Sequence, residues 1–426
     1  MSETGSRIAG FHSLSPQERL DAVTRRSGLG NEGKSHLIEA GAALVELADH
    51  LSENVIGTMN VPLGVATNLI VDGEDVLVPM ATEESSVIAA VCNAAKQCRD
   101  TGGVTATWTG PQMIAQVQIL NSPDPEAAKQ ALLDRRDEIK ASCDACDPML
   151  LKLGGGFRDI EVRVLDTRIG PMVILHLIVD TRDAMGANAV NTMAEKLAPH
   201  VENWTGGTVK LRILSNLADR RVVTVRGVWR TETIGGEDVR DGMIAASAFA
   251  DADPYRAATH NKGIMNGISA VVLATGNDTR AIEAGAHAFA SRSGRYTALS
   301  TWDKTPEGDL EGVMEIPMAV GIVGGATKVH PTAQACLKIM GVTNAERLAK
   351  VAAAVGLVQN FSALKALATT GIQAGHMRLH AQNLAITVGA VGEEIEAVAA
   401  EIVAKGEIRE DAAQAALEQI RSGTGS

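Results

Sequence analysis

A chain of 426 residues, 45% hydrophobic and 21% charged, has ordinary globular composition and the length of two or three domains, with volume to bury a cleft. Aromatic residues make up only 3%, so the core must be aliphatic, and stacking platforms for single-stranded nucleic acid are disfavoured. The 39 Lys and Arg against 51 Asp and Glu give a net charge of −12, which repels a phosphodiester backbone but leaves room for a small polyanion held by a few local cations.

No run approaches the roughly 20 apolar residues needed to span a bilayer, and MSETGSRIAGFHSLSPQERL at the start lacks the basic and apolar regions of a signal peptide. A cytoplasmic location with no membrane and no nucleic-acid partner is expected. Five cysteines, at 92, 98, 143, 146 and 336, are too few and too spread for a disulfide scaffold. Cys143 and Cys146 form one CxxC; with no second pair, and with Asp147 where a haem motif has His, no metal or haem is expected.

Ser15-Pro16-Gln17-Glu18 reads as a capping box with proline at the first helical position, opening a helix through about Arg26, and a second helix is expected from roughly His36 to Leu51. TNLIV and EDVLVPM flank Asp72-Gly73, a hairpin signature. Glu84 to Arg99 reads as a helix rich in Ala and Val. From about Gln112 the texture changes to MIAQVQIL (strand), Asp124 to Ser142 (charged helix), DIEVRVLD and MVILHLIVD (strands), Met185 to Leu197 (helix) and GTVKLRIL (strand).

That β-α-β-β-α-β order is the split βαβ, ferredoxin-like pattern. It predicts a small domain at about 111–216 inserted into a large mixed α/β domain made of 1–110 and 217–375. Strands near 221–230, helices around 254–274 and 278–291, and strands at about 295–302 and 311–318 complete the large domain. From Thr332 onward the chain reads helical, and 376–426 is expected to form a helical C-terminal flap after a Gly375 hinge. The fold class is therefore α+β.

Despite 42 glycines no G-x-G-x-x-G occurs, so any nicotinamide must be held by something other than a Rossmann unit. The candidate is Asp183-Ala184-Met185-Gly186-Ala187-Asn188, which follows a strand and opens a helix whose free N–H groups can receive a pyrophosphate; the same spacing suits an ordinary Asp N-cap with a packed glycine. Glu83 and Glu84 stand at a strand-to-helix junction. They either complement the helix dipole or, if one is partly buried beside another charge, deliver a proton near neutrality. DPYRAATHNKG at 253–263 is unusually polar for the start of an apolar helix. Lys262 could polarise a carbonyl oxygen with Asp278 holding its charge in place, or both could be solvated surface groups. In GHMRLH at 375–380, His376 and His380 share a helical face; without a third ligand the functional reading is one imidazole as a proton donor, beside the plain alternative of an exposed His.

Taken together these segments resemble class II hydroxymethylglutaryl-CoA reductase over nearly the whole chain. The matching strings are ENVIG at 53–57, the EE-x-S of 83–86, GGGFRDIEV at 154–162, DAMGAN at 183–188, RILSNLAD at 212–219, DPYRAATHNKGIMNG at 253–267, ATGND at 274–278, VGGATK at 323–328 and GHMRLH at 375–380. Ser85 departs from the family pattern, which often has Pro there. The resemblance implies a four-electron, two-hydride interconversion of HMG-CoA with mevalonate plus CoA, through a hemithioacetal and mevaldehyde. Its catalytic set falls on Glu84, Lys262, Asp278 and His376: Lys262 stabilises the oxyanion, Asp278 orients and balances Lys262, Glu84 manages the proton on the substrate oxygen, and His376 protonates the CoA thiolate. Ser86 and Arg256, with Asn266 and Gln359, are implied for the hydroxymethylglutaryl group, and Asp183, Ala184, Met185, Gly186, Ala187 and Asn188 for the cofactor.

The resemblance also implies a homodimer with shared active sites, or an assembly of dimers. Asp147 matches a family position where Asp accompanies NAD use, which implies NAD(H) preferred over NADP(H): a carboxylate accepts hydrogen bonds from the adenosine ribose and repels a 2′-phosphate. Beside Pro148 it could equally shape a turn. A thiolase-like acyl transferase would need a nucleophilic Cys with a His partner, for which Cys92, Cys98 and Cys336 within helices are poorly set. A non-catalytic CoA or nucleotide sensor predicts loss of Lys262 or His376, and both are present.

Overall fold

In the computed structural model of the chain, the described residues are 5–39, 54, 59–369 and 371–423. The capping box forms as expected: the Ser15 hydroxyl accepts from the Glu18 N–H, the Glu18 carboxylate accepts from the Ser15 N–H, and the helix runs over Pro16–Arg26. The next helix, Asn31–Glu39, starts earlier than His36. The rest of the expected His36 to Leu51 helix, and ENVIG apart from Asn54, lie outside the described residues.

β1 (Leu63–Val71) and β2 (Glu74–Ala81) form the antiparallel hairpin expected around Asp72-Gly73. Both turn residues take positive φ, 53° and 81°, the geometry that lets a two-residue turn follow the right-handed twist of its strands. Asp72 does more than turn. Its carboxylate accepts the Ala106 N–H at 2.7 Å and pairs with Lys350 at 3.3 Å. With β3 (Val104–Trp108), β8 (Val222–Trp229), β9 (Ser300–Lys304) and β10 (Leu310–Pro317), these strands make a six-stranded sheet ordered β2-β1-β3-β8-β10-β9, antiparallel except where β1 meets β3. β9 begins later than the expected 295.

A second sheet holds β4 (Gln112–Leu120), β5 (Gly156–Thr167), β6 (Gly170–Asp180) and β7 (Thr208–Ser215) in the order β5-β6-β4-β7, every pair antiparallel. Helices Pro125–Leu133, Arg136–Asp144 and Ala187–Thr205 pack on it, giving the ferredoxin-like arrangement. The period of two is visible in β4, where Met113, Ala115, Val117 and Ile119 are buried and Gln116 and Gln118 only half-buried. The single helix expected from Asp124 to Ser142 is two, because Asp134 and Arg135 leave the helical ladder between them.

Helix Ala345–Ala368 runs through the centre of the molecule, against β3, β8, β10 and the helices Val87–Gln97, Glu237–Ala252 and Pro254–Ala274. Among the described residues it is long and apolar enough to cross a membrane, which revises the expectation that no run approaches that threshold; here 67% of its apolar window is buried inside the protein. Three of the chain's eleven aromatics gather on it. Trp229 stacks on Phe361 at 4.6 Å, and Trp302 tilts against both. The apolar core is continuous across both sheets, whereas helices Ile372–Thr387, Glu393–Ala404 and Glu410–Arg421 enclose a separate cluster from Ala381 to Leu417.

A polar knot sits in the core. Asn360 Oδ1 accepts from the Trp302 indole at 2.7 Å and from the Ser300 hydroxyl at 2.8 Å, and His260 Nε2 lies 2.7 Å from Ser300 Oγ. Burial, with a smaller contribution from the Arg256 charge, pulls the pKa of His260 down to about 4, so its imidazole stays neutral in the fold. An unfolded chain takes up that proton near 6.5. Between the two values the unfolded state binds more protons, so stability that is complete above about pH 6.5 is lost as pH falls towards 4, by up to roughly 3 kcal/mol for this one group. Urea melts at pH 7 and pH 4.5 should show the loss, and His260→Gln should flatten it; identical pH dependence in the two proteins would assign the acid sensitivity to other groups.

Candidate active site

Helix Pro254–Ala274 is opened by Asp253, whose carboxylate accepts the Tyr255 N–H at 3.0 Å, with proline at the first helical position. Its inner face buries Ala257, His260, Asn261, Ile264 and Ile268. Lys262 points the other way. Its Nζ donates to Glu84 Oε2 at 2.8 Å, joining the helix to the β2 junction across 178 residues of chain. The side chains keep 61% and 36% of their surfaces in solvent. An ion pair that open contributes little to stability, so its presence is better explained by what it can do to a bound molecule. An ammonium beside a carboxylate can stabilise a developing oxyanion and move a proton to or from it.

The expected substrate contacts fall on these elements and on the central helix. Ser86 starts helix Val87–Gln97 in the left-handed region, φ 72° and ψ −18°, and its hydroxyl makes no capping bond. A non-glycine residue held there costs on the order of 1 kcal/mol, strain typical of functional sites. Arg256 is half-buried and has no carboxylate partner among the described residues, and burial pulls its pKa below the ordinary value. Such a guanidinium is preset for a ligand carboxylate. Asn266 lies one helical turn beyond Lys262, half-buried. Gln359 is buried in helix Ala345–Ala368, and its Oε1 has no hydrogen-bond donor among the described residues.

Asp278 does not contact Lys262. Its carboxylate caps helix Thr279–Ala290, accepting the Arg280 and Ala281 N–H groups at 3.0 and 3.1 Å, and it pairs with Arg280 at 3.3 Å. Burial pushes the Asp278 carboxyl up, but these bonds outweigh it and hold the group below the usual range. The expected Asp278–Lys262 pair is thus replaced by Glu84–Lys262. His376 falls on helix Ile372–Thr387, and its side chain lies outside the described residues.

DAMGAN does not take the Asp-capped form. Gly186, at φ 99°, begins helix Ala187–Thr205 with no side-chain cap, and a Cβ there would sit 2.4 Å from the Thr181 side chain. Asp183 does not cap this helix: its Oδ1 accepts the Ala345 N–H at 2.8 Å, tying the segment to the central helix. Thr181 supports the turn by donating to Ala184 O at 3.0 Å. The first N–H groups of Ala187–Thr205 therefore have no side-chain acceptor among the described residues, which fits a pyrophosphate at that end. Ala184, Met185, Ala187 and Asn188 are half-buried or exposed around it. Asp147 caps the short helix Pro148–Lys152, accepting the Leu150 N–H at 2.9 Å through Oδ1.

Sequence reading missed Arg221, fully buried and with no ion-pair partner among the described residues, which donates to Thr181 Oγ1 at 3.1 Å, Ala184 O at 3.0 Å and Val320 O at 2.5 Å. Burial brings its pKa down to about 10. It also missed Asn277, which accepts the Gly321 N–H at 2.8 Å. Both hold the loops behind DAMGAN, and a buried arginine has no local sequence signature. Among the described residues no group of three or more His, Cys, Asp or Glu is placed to hold a metal.

A family profile described as hydroxymethylglutaryl-coenzyme A reductase matches residues 15–381. The chain is 56% identical over 417 residues to the 3-hydroxy-3-methylglutaryl-coenzyme A reductase of Archaeoglobus fulgidus, covering 98% of this chain and 95% of the relative. Its fold is similar to the solved structure of that reductase from Streptococcus pneumoniae, with TM-score 0.83 and 39% identity over 97% of this chain and 99% of that one. It is also similar to the class II enzyme of the same organism bound to NADPH in open conformations, with TM-score 0.82 and 40% identity over 85% and 99%.

Proposed function

The chain belongs to the hydroxymethylglutaryl-coenzyme A reductase family, and on that premise we propose that it interconverts HMG-CoA with mevalonate and CoA in two hydride steps using NAD(H). The observation that carries this reading is the solvent-open Lys262–Glu84 pair, whose lysine is on the same helix as Arg256, a guanidinium with no carboxylate partner among the described residues. When bound at the uncapped start of Ala187–Thr205, between Asp183 and Asn188, the nicotinamide supplies or accepts hydride.

Arg256 and the Ser86 hydroxyl, with Asn266 and Gln359, bind the hydroxymethylglutaryl group. Lys262 stabilises the charge that develops on the thioester carbonyl oxygen, and Glu84 holds or delivers the proton at that oxygen. The hemithioacetal collapses to mevaldehyde and a CoA thiolate, to which His376 gives its proton. Asp278 belongs to the proposed set by its motif, while the contact supporting the Lys262 charge comes from Glu84. The proposed division is a large domain of 1–110 and 217–375, a small cofactor domain of 111–216 and a flap of 376–426; the four-stranded sheet and the separate C-terminal cluster support it. The openness of the catalytic pair favours a site completed by a second copy in a homodimer, and we assign the enzyme to the cytoplasm.

Mixing purified protein with mevalonate, CoA and either NAD or NADP and following nicotinamide absorbance tests the reading. No signal with either cofactor in either direction would sink it. Preference for NAD rests on Asp147, and native enzyme is expected to show a clear NAD preference that Asp147→Ala or Asp147→Arg relaxes, chiefly through KM. Because Asp147 also caps a helix, worth about 1 kcal/mol, Asp147→Ser is the control that keeps the cap and removes the charge. An unchanged ratio of specificities in all three variants would place discrimination elsewhere.

A further inference from the structure

We propose that Asp180 is the positioning residue that locks the two cofactor-facing segments together and keeps two arginines from engaging a 2′-phosphate, a proposal that rests on the nicotinamide reading above. Asp180 ends β6, opposite Gly156 at the start of β5 and Gln112 at the start of β4, so three strand ends meet at it. It is 4% exposed. Its Oδ1 accepts the backbone N–H of Arg182 at 3.0 Å, and its Oδ2 accepts from the Arg158 guanidinium at 2.9 Å and pairs with the Arg182 guanidinium.

Each arginine belongs to a different segment. Arg158 donates to the carbonyls of Gly154, Gly155 and Phe157. The Gly155 N–H bonds Leu150 O at 2.9 Å, and the Leu150 N–H bonds Asp147, so this arm leads directly to the residue proposed to face the ribose. A Cβ on Gly155 would lie 2.8 Å from the Asp180 carbonyl oxygen, so the backbones are in contact there. Arg182, at φ 51°, is the residue that turns the chain into DAMGAN. Its left-handed conformation is unfavourable for an L side chain, and the Asp180 bond to its N–H offsets that cost. One carboxylate thus sets the distance between the proposed ribose and pyrophosphate ends of the cleft.

The charge balance gives the second half of the proposal. Two guanidinium groups share one carboxylate, and their side chains keep 36% and 39% of their surfaces in solvent while the carboxylate is buried. The Arg182 Nε–H is itself buried without an acceptor among the described residues. With Asp180 ionised, both forks are oriented inward. Removing its charge leaves two cations, each able to hold a phosphate, beside a helix start that already favours anions.

Fluorescence titration of NADH and NADPH into purified native protein, Asp180→Asn, Arg182→Gln and the double variant tests this without relying on turnover. Asp180→Asn should weaken NADH by about tenfold, the scale of one charge-assisted hydrogen bond, and weaken NADPH less, so the ratio of the two dissociation constants shifts towards NADPH. Adding Arg182→Gln should return the ratio towards native. In assays the loss should appear in the cofactor KM and not in kcat. Equal weakening for both cofactors would make Asp180 a mere scaffold residue and overturn the proposal. If Asp180→Asn does not fold, Arg182→Gln alone decides, since it keeps the Asp180–Arg158 pair; native NADH affinity in that variant also overturns it. Native protein that binds neither nucleotide would instead remove the nicotinamide reading itself.

Discussion

Lys262→Ala is expected to cripple both hydride steps, lowering kcat by more than the about 10²–10³ that a neutral preorganised donor at an oxyanion supplies, which is roughly 3–4 kcal/mol. Removing the ammonium leaves the Glu84 carboxylate, its partner at 2.8 Å, facing the developing negative charge unshielded. Affinity for the thioester should fall far less than turnover, since Arg256 and Ser86 are untouched. The melting temperature should hardly change, because the pair is solvent-open and worth about 0–1 kcal/mol to the fold. Measured together, intact stability with lost turnover identifies a catalytic cation. Near-normal turnover would reduce Lys262 to a residue on a helix surface and overturn the mechanism.

The second large effect separates the two half-reactions. His376→Gln should cripple thioester reduction and the oxidative acylation of CoA, by about 10²–10⁴, the usual contribution of a positioned acid or base. Reduction of free mevaldehyde releases no thiolate and should be spared. Supplying mevaldehyde and either nicotinamide to the variant isolates that step. Equal losses in both half-reactions would give His376 a structural or shared role and move thiolate protonation to another group.

Local chemistry was the legible part of this chain. The Asp72-Gly73 turn, the Ser15 box and the strands of the small sheet were readable because each is decided by neighbours in sequence: positive φ at two turn residues, a reciprocal cap, a period of two. Helix Glu237–Ala252 was not placed, and its buried face explains why. The inward positions are Arg240, Met243, Ser247 and Ala250, a helical spacing in which two of the four residues are polar, so the apolar periodicity is hidden. Arg240 is nonetheless satisfied there, by Asp241 and the Gly308 carbonyl.

The site divides the same way. Motif strings located Lys262, Glu84 and Arg256, but not which acid would meet Lys262. Asp278 and Glu84 are equally plausible by charge, and only the fold reveals that capping the next helix occupies Asp278. Asp183 was read as facing the cofactor or capping its own helix; its bond to Ala345 links positions 162 residues apart, a distance no spacing rule covers. Contacts made across the whole chain are invisible to any reading that proceeds by windows.

The central position of helix Ala345–Ala368 has a consequence for how the protein is made. Every strand of the six-stranded sheet and the three helices named as its neighbours precede it in the chain. On the ribosome, the sheet can pair and its flanking helices can gather, yet the apolar surface that receives Val355, Leu357, Val358 and Phe361 stays uncovered until residues near 368 have emerged. The large unit therefore closes late in synthesis, as one event, with a helix greasy enough to be mistaken for a membrane span as the closing piece. Chains released early, before this helix, should expose a broad apolar face and become clients of chaperones or proteases rather than partly active fragments.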